Sequence, residues 1–537
     1  MKLNNLYIEE FKNLKKFFID FDQKSPITVI VGWNGTGKSN LFEALVIIFR
    51  DCILKKPTGF AYTLSYSCHG NNVLLKNSEL IAKDGTSYEP KRFNLKVDIS
   101  PITLSLDGER NGVKLSYLPE YIFGYYSGPS NRFKEHFAST QQRYYDRIIK
   151  ADESSNLREL KSLRRMFYAE NHHSKYVLMA FFLKDDNKIK GFLEHYLRII
   201  GLESVLFIMK KPYWAKSKTK HFWGAKGLPR NFLNKLYNIA LAPMRLKQSV
   251  PTGIKYSTKK ELYYLYVKDV KSLIELAKEY ETASDFFAAL ESTDLSEVIH
   301  DVRVNVKIRN HDGTITFREL SEGEQQLLVV LGLLRFTKEK ESLILLDEPD
   351  THLNPYWSIE YLNLLKTIVD DEQIEPETPE EETRHIVMAT HDPLVISGLQ
   401  KEQIQLFKRN KEDNCYTELP EMSPKGLGFT GILTSDMFGF RSDLDPGTLS
   451  DLDKKVELSG QENLSDEERL ELKRINAELD KAGLLATFSD PYYSEFVKAW
   501  SRKTSLRRFE KPSLTRQERI DQAILTDEIL QELLGED

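Results

Sequence analysis

Four residues near the start of the chain have the types and the spacing that bind phosphate. The pattern G-x-x-x-x-G-K-[ST] is filled at every fixed position by Gly32, Gly37, Lys38 and Ser39. In such a loop, backbone N–H groups surround the β-phosphate, the lysine reaches the β- and γ-phosphate oxygens, and the serine hydroxyl binds Mg²⁺. A strand-like run, Ile27–Val31, precedes the loop, and an apolar helical run, Leu41–Phe49, follows it. The pattern therefore predicts a site for ATP and Mg²⁺.

Two acids at the end of a second apolar run supply the other half of a hydrolytic site. Residues 343–346 are apolar and are followed directly by Asp347 and Glu348, which is the arrangement of a Walker B strand. Asp347 would hold Mg²⁺ through water, and Glu348 would polarise the water that attacks the γ-phosphorus. Paired acids at a strand end are also common surface residues, so this assignment depends on the motifs around them.

A third group of residues lies just upstream of these acids. Residues 320–324 read Leu-Ser-Glu-Gly-Glu and precede an apolar helical run, Leu327–Phe336. This segment resembles the LSGGQ signature of ABC-type ATPases, and it precedes the Walker B strand as in that family. The resemblance implies that Ser321 and the backbone of Gly323 meet the γ-phosphate held by a second protomer, because a helix N-terminus favours an anion. ATP would then lie between two copies arranged head to tail.

Two further motifs fit the same resemblance. His391 follows a third apolar run, residues 386–390, and looks like the switch histidine that would hydrogen-bond the γ-phosphate. Taken alone, a histidine at a strand end is usually a structural residue. Residues 350–353 have the position of the D-loop, which touches the opposite protomer. The glutamine loop stands out less: Gln141 and Gln142 are weak candidates, and that Mg²⁺ contact stays unassigned.

Within the ABC-type ATPases the chain resembles the SMC/RecF/OLD branch. Its loop reads G-x-N-G-x-G-K-S-N, and Leu6–Leu14 looks like the first strand of those proteins, in which a basic residue approaches the nucleotide. The resemblance implies a nucleotide-contacting set of Lys12, Asn34, Gly35, Gly37, Lys38, Ser39, Asn40, Ser321 and Gly323. It implies catalytic roles for Glu348, Lys38 and His391, and Mg²⁺ binding by Ser39 and Asp347.

More narrowly, the chain is similar to the PtuA-like ATPases of Septu antiphage systems and of Septu-bearing retrons. The similarity lies in the length and in the segments Tyr66–Gly70 and Gly124–Gly128. It implies a sensor or regulator whose nucleotide cycle controls a separate HNH nuclease of PtuB type. A reverse transcriptase and its noncoding RNA and DNA are further partners that this family allows.

Competing functions are open at this point. A RecF- or SMC-like DNA repair ATPase would need DNA-stimulated hydrolysis and no nuclease neighbour. A transporter ATPase is disfavoured by the Glu-Gly-Glu signature and by the long insertion before it. A self-contained nuclease is disfavoured because Asp443 and Asp445, the acids with suitable spacing, precede Pro446 in a segment typical of a turn.

The motifs and composition shifts predict an α/β chain in four parts. An N-terminal ATPase lobe covers 1–130 and a C-terminal lobe covers 301–420; together they form an ABC-type P-loop head with a mixed sheet and an antiparallel β subdomain. Residues 131–300 are expected to be an α-helical insertion, since they lack sustained heptads, and 421–537 a mostly helical region. Alternating residues predict antiparallel strands near 93–106 and a hairpin over 302–317.

Composition favours a reduced cytoplasm. The chain has 537 residues, three widely spaced cysteines and a formal net charge of −5, which indicates neither a disulfide framework nor a chain-wide nucleic-acid surface. No apolar run approaches the ~20 residues of a membrane span, so no membrane contact is expected.

Two local features leave alternatives open. Residues 210–230 hold seven cations and no acid, interleaved with aromatic residues, which suits single-stranded nucleic acid; a solvated loop with its rings packed in the core is as good an interpretation. A C-terminal helix is predicted to carry an apolar stripe that either packs on the chain's own core or docks a partner. The stripe consists of Ile520, Ile524, Leu525, Ile529, Leu533 and Leu534.

Overall fold

The computed structural model shows a mixed α/β protein whose described residues form three sheets. It describes residues 1–21, 24–54, 56, 58–77, 93–97, 100–104, 117–130, 132–150, 165–184, 186–215, 221–251, 257–309, 314–337, 341–369, 383–459, 461, 463–482 and 516–534. None of the helices in this part of the chain has the length and hydropathy of a membrane span.

Strands dominate the first part of the chain and helices the last. The strands are β1 (Lys2–Phe11), β2 (Leu14–Asp20), β3 (Ile27–Gly32), β4 (Tyr62–Cys68), β5 (Asn71–Asn77), β6 (Phe93–Val97), β7 (Ser100–Leu104), β8 (Tyr121–Tyr126), β9 (Met166–Ala169), β10 (Ile199–Lys210), β11 (Leu241–Pro251), β12 (Ser257–Val267), β13 (Ile299–Ile308), β14 (Thr314–Thr316), β15 (Ser342–Asp347), β16 (Arg384–Thr390), β17 (Ile404–Arg409) and β18 (Cys415–Glu418). The α-helices are α1 (Lys38–Leu54), α2 (Arg132–Lys150), α3 (Ser174–Phe181), α4 (Asn187–His195), α5 (Gly227–Ile239), α6 (Val270–Ala277), α7 (Ala283–Leu295), α8 (Glu322–Phe336), α9 (Pro355–Val369), α10 (Pro393–Ile396), α11 (Gly428–Thr434), α12 (Pro446–Ser459), α13 (Asp466–Lys481) and α14 (Arg516–Leu534).

The predicted nucleotide motifs lie on a seven-stranded mixed sheet with the order β18-β17-β3-β16-β15-β8-β9. Its strands pair in parallel except β18, which is antiparallel to β17. Strands β3, β15 and β16 are buried along almost their whole length, as expected for continuous apolar runs in the middle of a parallel sheet. Because parallel strands end at the same edge, this sheet brings the loops after β3, β8, β15 and β16 together.

A six-stranded antiparallel sheet covers one side of α1. Its order is β2-β1-β4-β5-β6-β7, and the pairing of β6 with β7 confirms the antiparallel strands predicted from the alternating sequence. One hydrophobic cluster includes residues of this sheet, of α1 and of the seven-stranded sheet. The cluster therefore fixes the helix that follows the phosphate-binding pattern between two sheets.

A five-stranded antiparallel sheet with the order β11-β12-β10-β13-β14 lies in the middle of the chain. The predicted hairpin is its β13–β14 pair, although the turn at 312–313 falls outside the described residues. The helices expected within 131–300 are present, but the expectation of a helical insertion missed β10, β11 and β12. Both faces of β12 are partly buried, which obscures the alternation that reveals a strand. The sheet also crosses the boundary expected at residue 300.

The C-terminal helices belong to a second compact unit. Unit one contains residues 1–395 and 402–419, and unit two contains 396–401 and 420–537. In the second unit, α12 and α13 share a small apolar cluster around Leu458, Ile475 and Leu479. Ser465 caps α13 in a capping box with Glu468. On α14, Ile529 is buried whereas Ile520 and Ile524 are exposed, so both uses predicted for its stripe are open.

Candidate active site

The loop between β3 and α1 has the conformation of a phosphate cradle. Gly35 and Gly37 have φ angles of +83° and +106°, which side chains with a Cβ rarely adopt. A Cβ on Gly37 would also lie 3.0 Å from the Asn13 side-chain oxygen. At the tip of the loop, Asn34 is exposed. The sequence pattern therefore corresponds to a loop whose backbone N–H groups can turn toward a bound anion.

Lys38 lies inside this loop. Its Nζ donates hydrogen bonds to the carbonyl oxygens of Gly32 at 2.6 Å and Trp33 at 3.3 Å, and the residue is only 6% exposed. Burial lowers the pKa of Lys38, while the charges of Glu348 and Asp347 act in the opposite direction. Loop carbonyls thus hold the ammonium group, and the oxygens of a bound phosphate could replace them as its hydrogen-bond acceptors.

Asp347 and Ser39 form the part of the site that suits a divalent cation. Asp347 is 1% exposed, and its Oδ1 receives no hydrogen bond from the residues that the structure describes. Burial raises the pKa of Asp347 to about 6, although a hydrogen bond from Ser39 partly offsets the rise. A buried carboxylate oxygen without a hydrogen-bond partner among the described residues, next to a hydroxyl on the phosphate loop, fits the oxygen ligands that Mg²⁺ requires.

Glu348 and His391 meet at the ends of adjacent strands. Glu348 follows β15 with a φ angle of +53°, and its N–H donates to the Ala389 carbonyl of β16 at 2.9 Å. His391 Nδ1 lies 3.5 Å from a Glu348 carboxylate oxygen. A left-handed conformation at a residue with a side chain is uncommon and costs energy. Here it aims the carboxylate at the histidine, beside Asp347.

Ser321 and Gly323 lie at the start of α8. The Ser321 hydroxyl accepts a hydrogen bond from the Glu324 N–H at 3.3 Å, and the Glu324 carboxylate accepts one from the Ser321 N–H at 2.7 Å. This is a capping box, so a serine here is explained by the helix alone. The serine is nevertheless exposed. A Cβ on Gly323 would lie 2.3 Å from the His352 carbonyl oxygen, so only glycine fits beside the segment that follows β15.

Residues 350–353, which follow β15, lie beside the end of β16, the loop after β8 and the start of α8. Asp350 accepts a hydrogen bond from the Thr390 hydroxyl at 2.6 Å, and burial raises the pKa of Asp350 to about 6. Thr351 contacts Ser127, in the loop after β8, with 2.9 Å between the hydroxyl oxygens. The structure thus brings 350–353 against the signature helix and the loop after β8. Gln142, a weak glutamine-loop candidate, lies within α2 and donates to Asp146 of the same helix at 3.1 Å.

Several supporting residues were missed by the sequence reasoning. Asn13 donates to the Gly35 carbonyl at 3.1 Å and accepts from the Asn40 side chain at 2.6 Å. Arg409 also donates to the Gly35 carbonyl. Lys12, predicted beside the nucleotide, pairs with the carboxylate of Glu43. The tight turn at residues 12–13 was a readable signal, but nothing in the sequence places Arg409 beside the loop.

The basic and aromatic segment 210–230 is only partly described. Phe222 and Trp223 are buried among aromatic residues of the insertion, so these two rings cannot stack on bases, and this part of the nucleic-acid interpretation is corrected. Tyr213 is 78% exposed. Lys216, Lys218 and Lys220 lie outside the described residues.

The two acids near residue 444 have local roles. Asp445 accepts hydrogen bonds from the N–H groups of Gly447 at 2.9 Å and Thr448 at 3.1 Å, so it caps the start of α12. Asp443 accepts a hydrogen bond from the Thr430 hydroxyl at 2.9 Å. The contacts of Asp445 are those of a turn residue, as expected from the sequence, whereas Asp443 contacts a residue of α11.

Comparison with known proteins finds one family model and several similar proteins. The model described as "AAA domain, putative AbiEii toxin, Type IV TA system" matches residues 27–397. Septu protein PtuA of Bacillus mycoides is 27% identical over 203 residues, which are 36% of this chain and 27% of that protein. The protein named "Retron Vc95 probable ATPase" of Vibrio cholerae is 21% identical over 486 residues, 81% of this chain and 78% of that protein.

A shorter match involves a different class of protein. The DNA double-strand break repair Rad50 ATPase of Methanosarcina mazei is 49% identical over 113 residues, which are 20% of this chain and 10% of that protein. The matched segments thus span about a quarter of the PtuA protein and a tenth of the Rad50 protein, whereas the retron protein is matched over most of its length.

Proposed function

This chain belongs to that family of AAA domains, and on this basis we propose that it binds ATP with Mg²⁺ and hydrolyses it to ADP and phosphate. The observation that carries the proposal is the convergence of five side chains at one edge of the parallel sheet. They are Lys38, Ser39, Asp347, Glu348 and His391. A lysine in a glycine loop, a buried carboxylate and a second acid beside a histidine suit phosphoryl transfer to water.

The proposed roles follow from the position of each group. Lys38 would exchange its loop carbonyls for β- and γ-phosphate oxygens, and Ser39 and Asp347 would hold Mg²⁺. The ion would supply positive charge that polarises the γ-phosphate. Glu348 would accept a proton from the attacking water, and His391 would hydrogen-bond the γ-phosphate. The nucleotide-contacting set would also include Lys12, Asn34, Gly35, Gly37 and Asn40.

We further propose that two copies assemble head to tail around ATP. Ser321 and Gly323 begin a long helix, and Ser321 is exposed, so they could meet a phosphate held by a second copy. The exposed D-loop residue His352, next to this helix start, would lie in the same interface.

The biological role proposed is antiphage defence. Its support is the similarity to a Septu protein and to a retron ATPase, the latter over most of both chains. On this proposal the nucleotide cycle senses or regulates a partner HNH nuclease of PtuB type, and a reverse transcriptase with its noncoding RNA and DNA is a further partner. Without Phe222 and Trp223, the candidate surface for nucleic-acid contact consists of the exposed Tyr213 and the neighbouring Lys210 and Lys211.

A second candidate is a DNA repair ATPase stimulated by DNA. The specific observation in its favour is the 49% identity to a Rad50 ATPase over 113 residues. Purification of the tagged chain from its native host distinguishes the two candidate functions. Co-purification of an HNH nuclease with the tagged chain would support defence, whereas a lone dimer whose hydrolysis rises on adding DNA would support repair.

The ATPase proposal is tested by paired variants. We expect Lys38→Ala to weaken ATP and ADP binding by about 100-fold. Glu348→Gln should keep ATP binding and lower the turnover number by about 10²- to 10⁴-fold. Lys15→Ala is the matched control, because Lys15 is an exposed lysine on β2. Nucleotide titration and phosphate release measure both effects, and full turnover in Glu348→Gln would contradict the role of that acid.

A further inference from the structure

A buried carboxylate lies one helical turn from the proposed Mg²⁺ ligand Ser39. Glu43 is fully buried on α1, and since it is four residues from Ser39, both side chains lie on the same face of the helix. Three basic side chains surround its carboxylate: Lys12 from the β1–β2 turn, and Arg132 and His136 from α2. Burial alone would raise the pKa of Glu43, but hydrogen bonds from His136 and Lys12, together with the charges of Lys12 and Arg132, lower it. Glu43 is therefore a carboxylate at neutral pH.

The three contacts differ in kind. Lys12 and His136 both hydrogen-bond Oε2 of Glu43, His136 at 3.1 Å. Arg132 Nε lies 3.2 Å from Oε1, yet this oxygen accepts no hydrogen bond from the described part of the chain. Arg132 is thus attracted by charge without a directional bond, and its side chain is 46% exposed. Of the three groups it is the one that can leave at the lowest cost.

Arg132 also follows closely in the chain on a loop at the sheet edge where Asp347 and Glu348 lie. Strand β8 runs parallel to β15, and the loop after β8 contacts this edge through the Ser127 N–H, which donates to the Asp347 carbonyl at 3.3 Å. Helix α2 begins just beyond that loop, at Arg132. Arg132 therefore begins the helix that follows a loop in contact with the proposed Mg²⁺ ligand Asp347.

We propose that Arg132 contacts the γ-phosphate of bound ATP, and that Glu43 holds the arginine beside the loop until ATP arrives. The proposal rests on the proposed ATPase function. Two cations, Lys12 and Arg132, around one carboxylate leave positive charge beside the phosphate loop, and a guanidinium offers the paired donors that match phosphate oxygens. Since ADP lacks the γ-phosphate, Arg132 would distinguish ATP from ADP and would report ATP binding to α2.

The test compares affinities for ATP and ADP in a Glu348→Gln background, in which turnover is suppressed. We expect Arg132→Ala to weaken ATP binding by about 10-fold and ADP binding by less than about 2-fold. Arg132→Lys keeps the charge without the paired donors and should lose part of the ATP affinity. Lys134→Ala is the matched control: Lys134 is a partly exposed cation on the same helix that pairs with Glu170 at 2.9 Å, and its removal should change neither affinity. Thermal unfolding of each variant checks the fold.

The outcomes separate this inference from the ATPase proposal. An equal loss of ATP and ADP binding in Arg132→Ala, or no loss of either, overturns the inference, since it leaves Arg132 a merely structural partner of Glu43. Unchanged binding of both nucleotides in Lys38→Ala would overturn the ATPase proposal itself. Loss of both in Lys38→Ala together with selective loss of ATP in Arg132→Ala supports both.

Discussion

The phosphate-loop side of the candidate site and the signature side are built in opposite ways. On the first, Lys38 and Asp347 are 6% and 1% exposed, and their charged groups lie close to one another inside the chain. On the second, Ser321 is exposed and the Glu322 side chain is 71% exposed. One half (the enclosed side) thus depends on buried charged groups of a single chain, and the other (the exposed side) is a surface whose proposed partner would be a second copy.

The two sides also differ in their energetic cost. Burial raises the pKa of Asp347 and lowers that of Lys38, and Glu348 has a φ angle of +53°, so the enclosed side holds charges and backbone in unfavourable states. The signature side uses a capping box, which stabilises its helix. The chain thus gives up stability in the absence of ligand where phosphate and metal would bind, and retains it where an assembly would form.

The largest expected effect comes from placing a negative charge on the exposed side only. Ser321→Asp keeps an N-cap oxygen for the Glu324 N–H, but it would repel a γ-phosphate presented by a second copy. We expect hydrolysis to fall on the order of 100-fold, with the ATP affinity of dilute protein unchanged. Ser321→Asn is the uncharged control, since it also caps a helix. Equal loss of ATP binding by the dilute protein in Ser321→Asp would show that Ser321 acts within its own chain.

On the enclosed side, the buried charge of Asp347 should destabilise the folded protein when no metal ion is bound. The folded pKa of Asp347, about 6, lies above its ordinary value of 3.8, so folding favours the protonated form. The stability that comes from the protonated form of Asp347 is fully present below pH 3.8 and is lost as the pH rises through 6. Without Mg²⁺, Asp347→Asn should therefore raise the free energy of unfolding by about 3 kcal/mol at pH 7.5 and by about half as much at pH 5.

Urea denaturation in EDTA at the two pH values measures this difference. The same variant should bind Mg²⁺–ATP more weakly, because the amide supplies no negative charge to the ion. A variant that is less stable than the wild type at pH 7.5 would mean that the buried carboxylate is already compensated by the chain, and the energetic contrast between the two sides would fail.

The same contrast explains how much the sequence could reveal. The phosphate loop and the two acids were readable because each is a short motif at the end of an apolar run, and the resulting strands β3, β15 and β16 follow those runs closely. The signature could be located, but its capping box and its exposure depend on the fold.

Contacts between segments that lie far apart in the sequence could not be predicted from it. Asn13 and Arg409 support the loop at Gly35, and Glu43 gathers cations from two other elements, because the sheet order and the packing of α2 bring these segments together. Strands β10 and β12 were missed because apolar and aromatic residues on both of their faces hide the alternation.

The smallest expected effect concerns the contact that joins the two sides. A Cβ on Gly323 would lie 2.3 Å from the His352 carbonyl oxygen, and this oxygen belongs to backbone that cannot rotate away as a side chain could. Gln326, one turn further along α8, donates to the Pro349 carbonyl, so the helix and the segment after Glu348 are held together at two points. Gly323→Ala should therefore push them apart and destabilise the protein by about 1–3 kcal/mol.

Gly191→Ala is the matched control for that variant. Gly191 lies within α4, and a Cβ there would meet no atom within 4 Å, so alanine should stabilise the protein by about 0.5–1 kcal/mol through helix propensity. Chemical denaturation of both variants measures the difference. Because the displaced segment follows Glu348 directly, Gly323→Ala should also slow hydrolysis more than it weakens ATP binding. A Gly323→Ala protein as stable and as active as the wild type would mean that the signature helix can move without disturbing the phosphate side, and that the two sides are joined only through bound nucleotide.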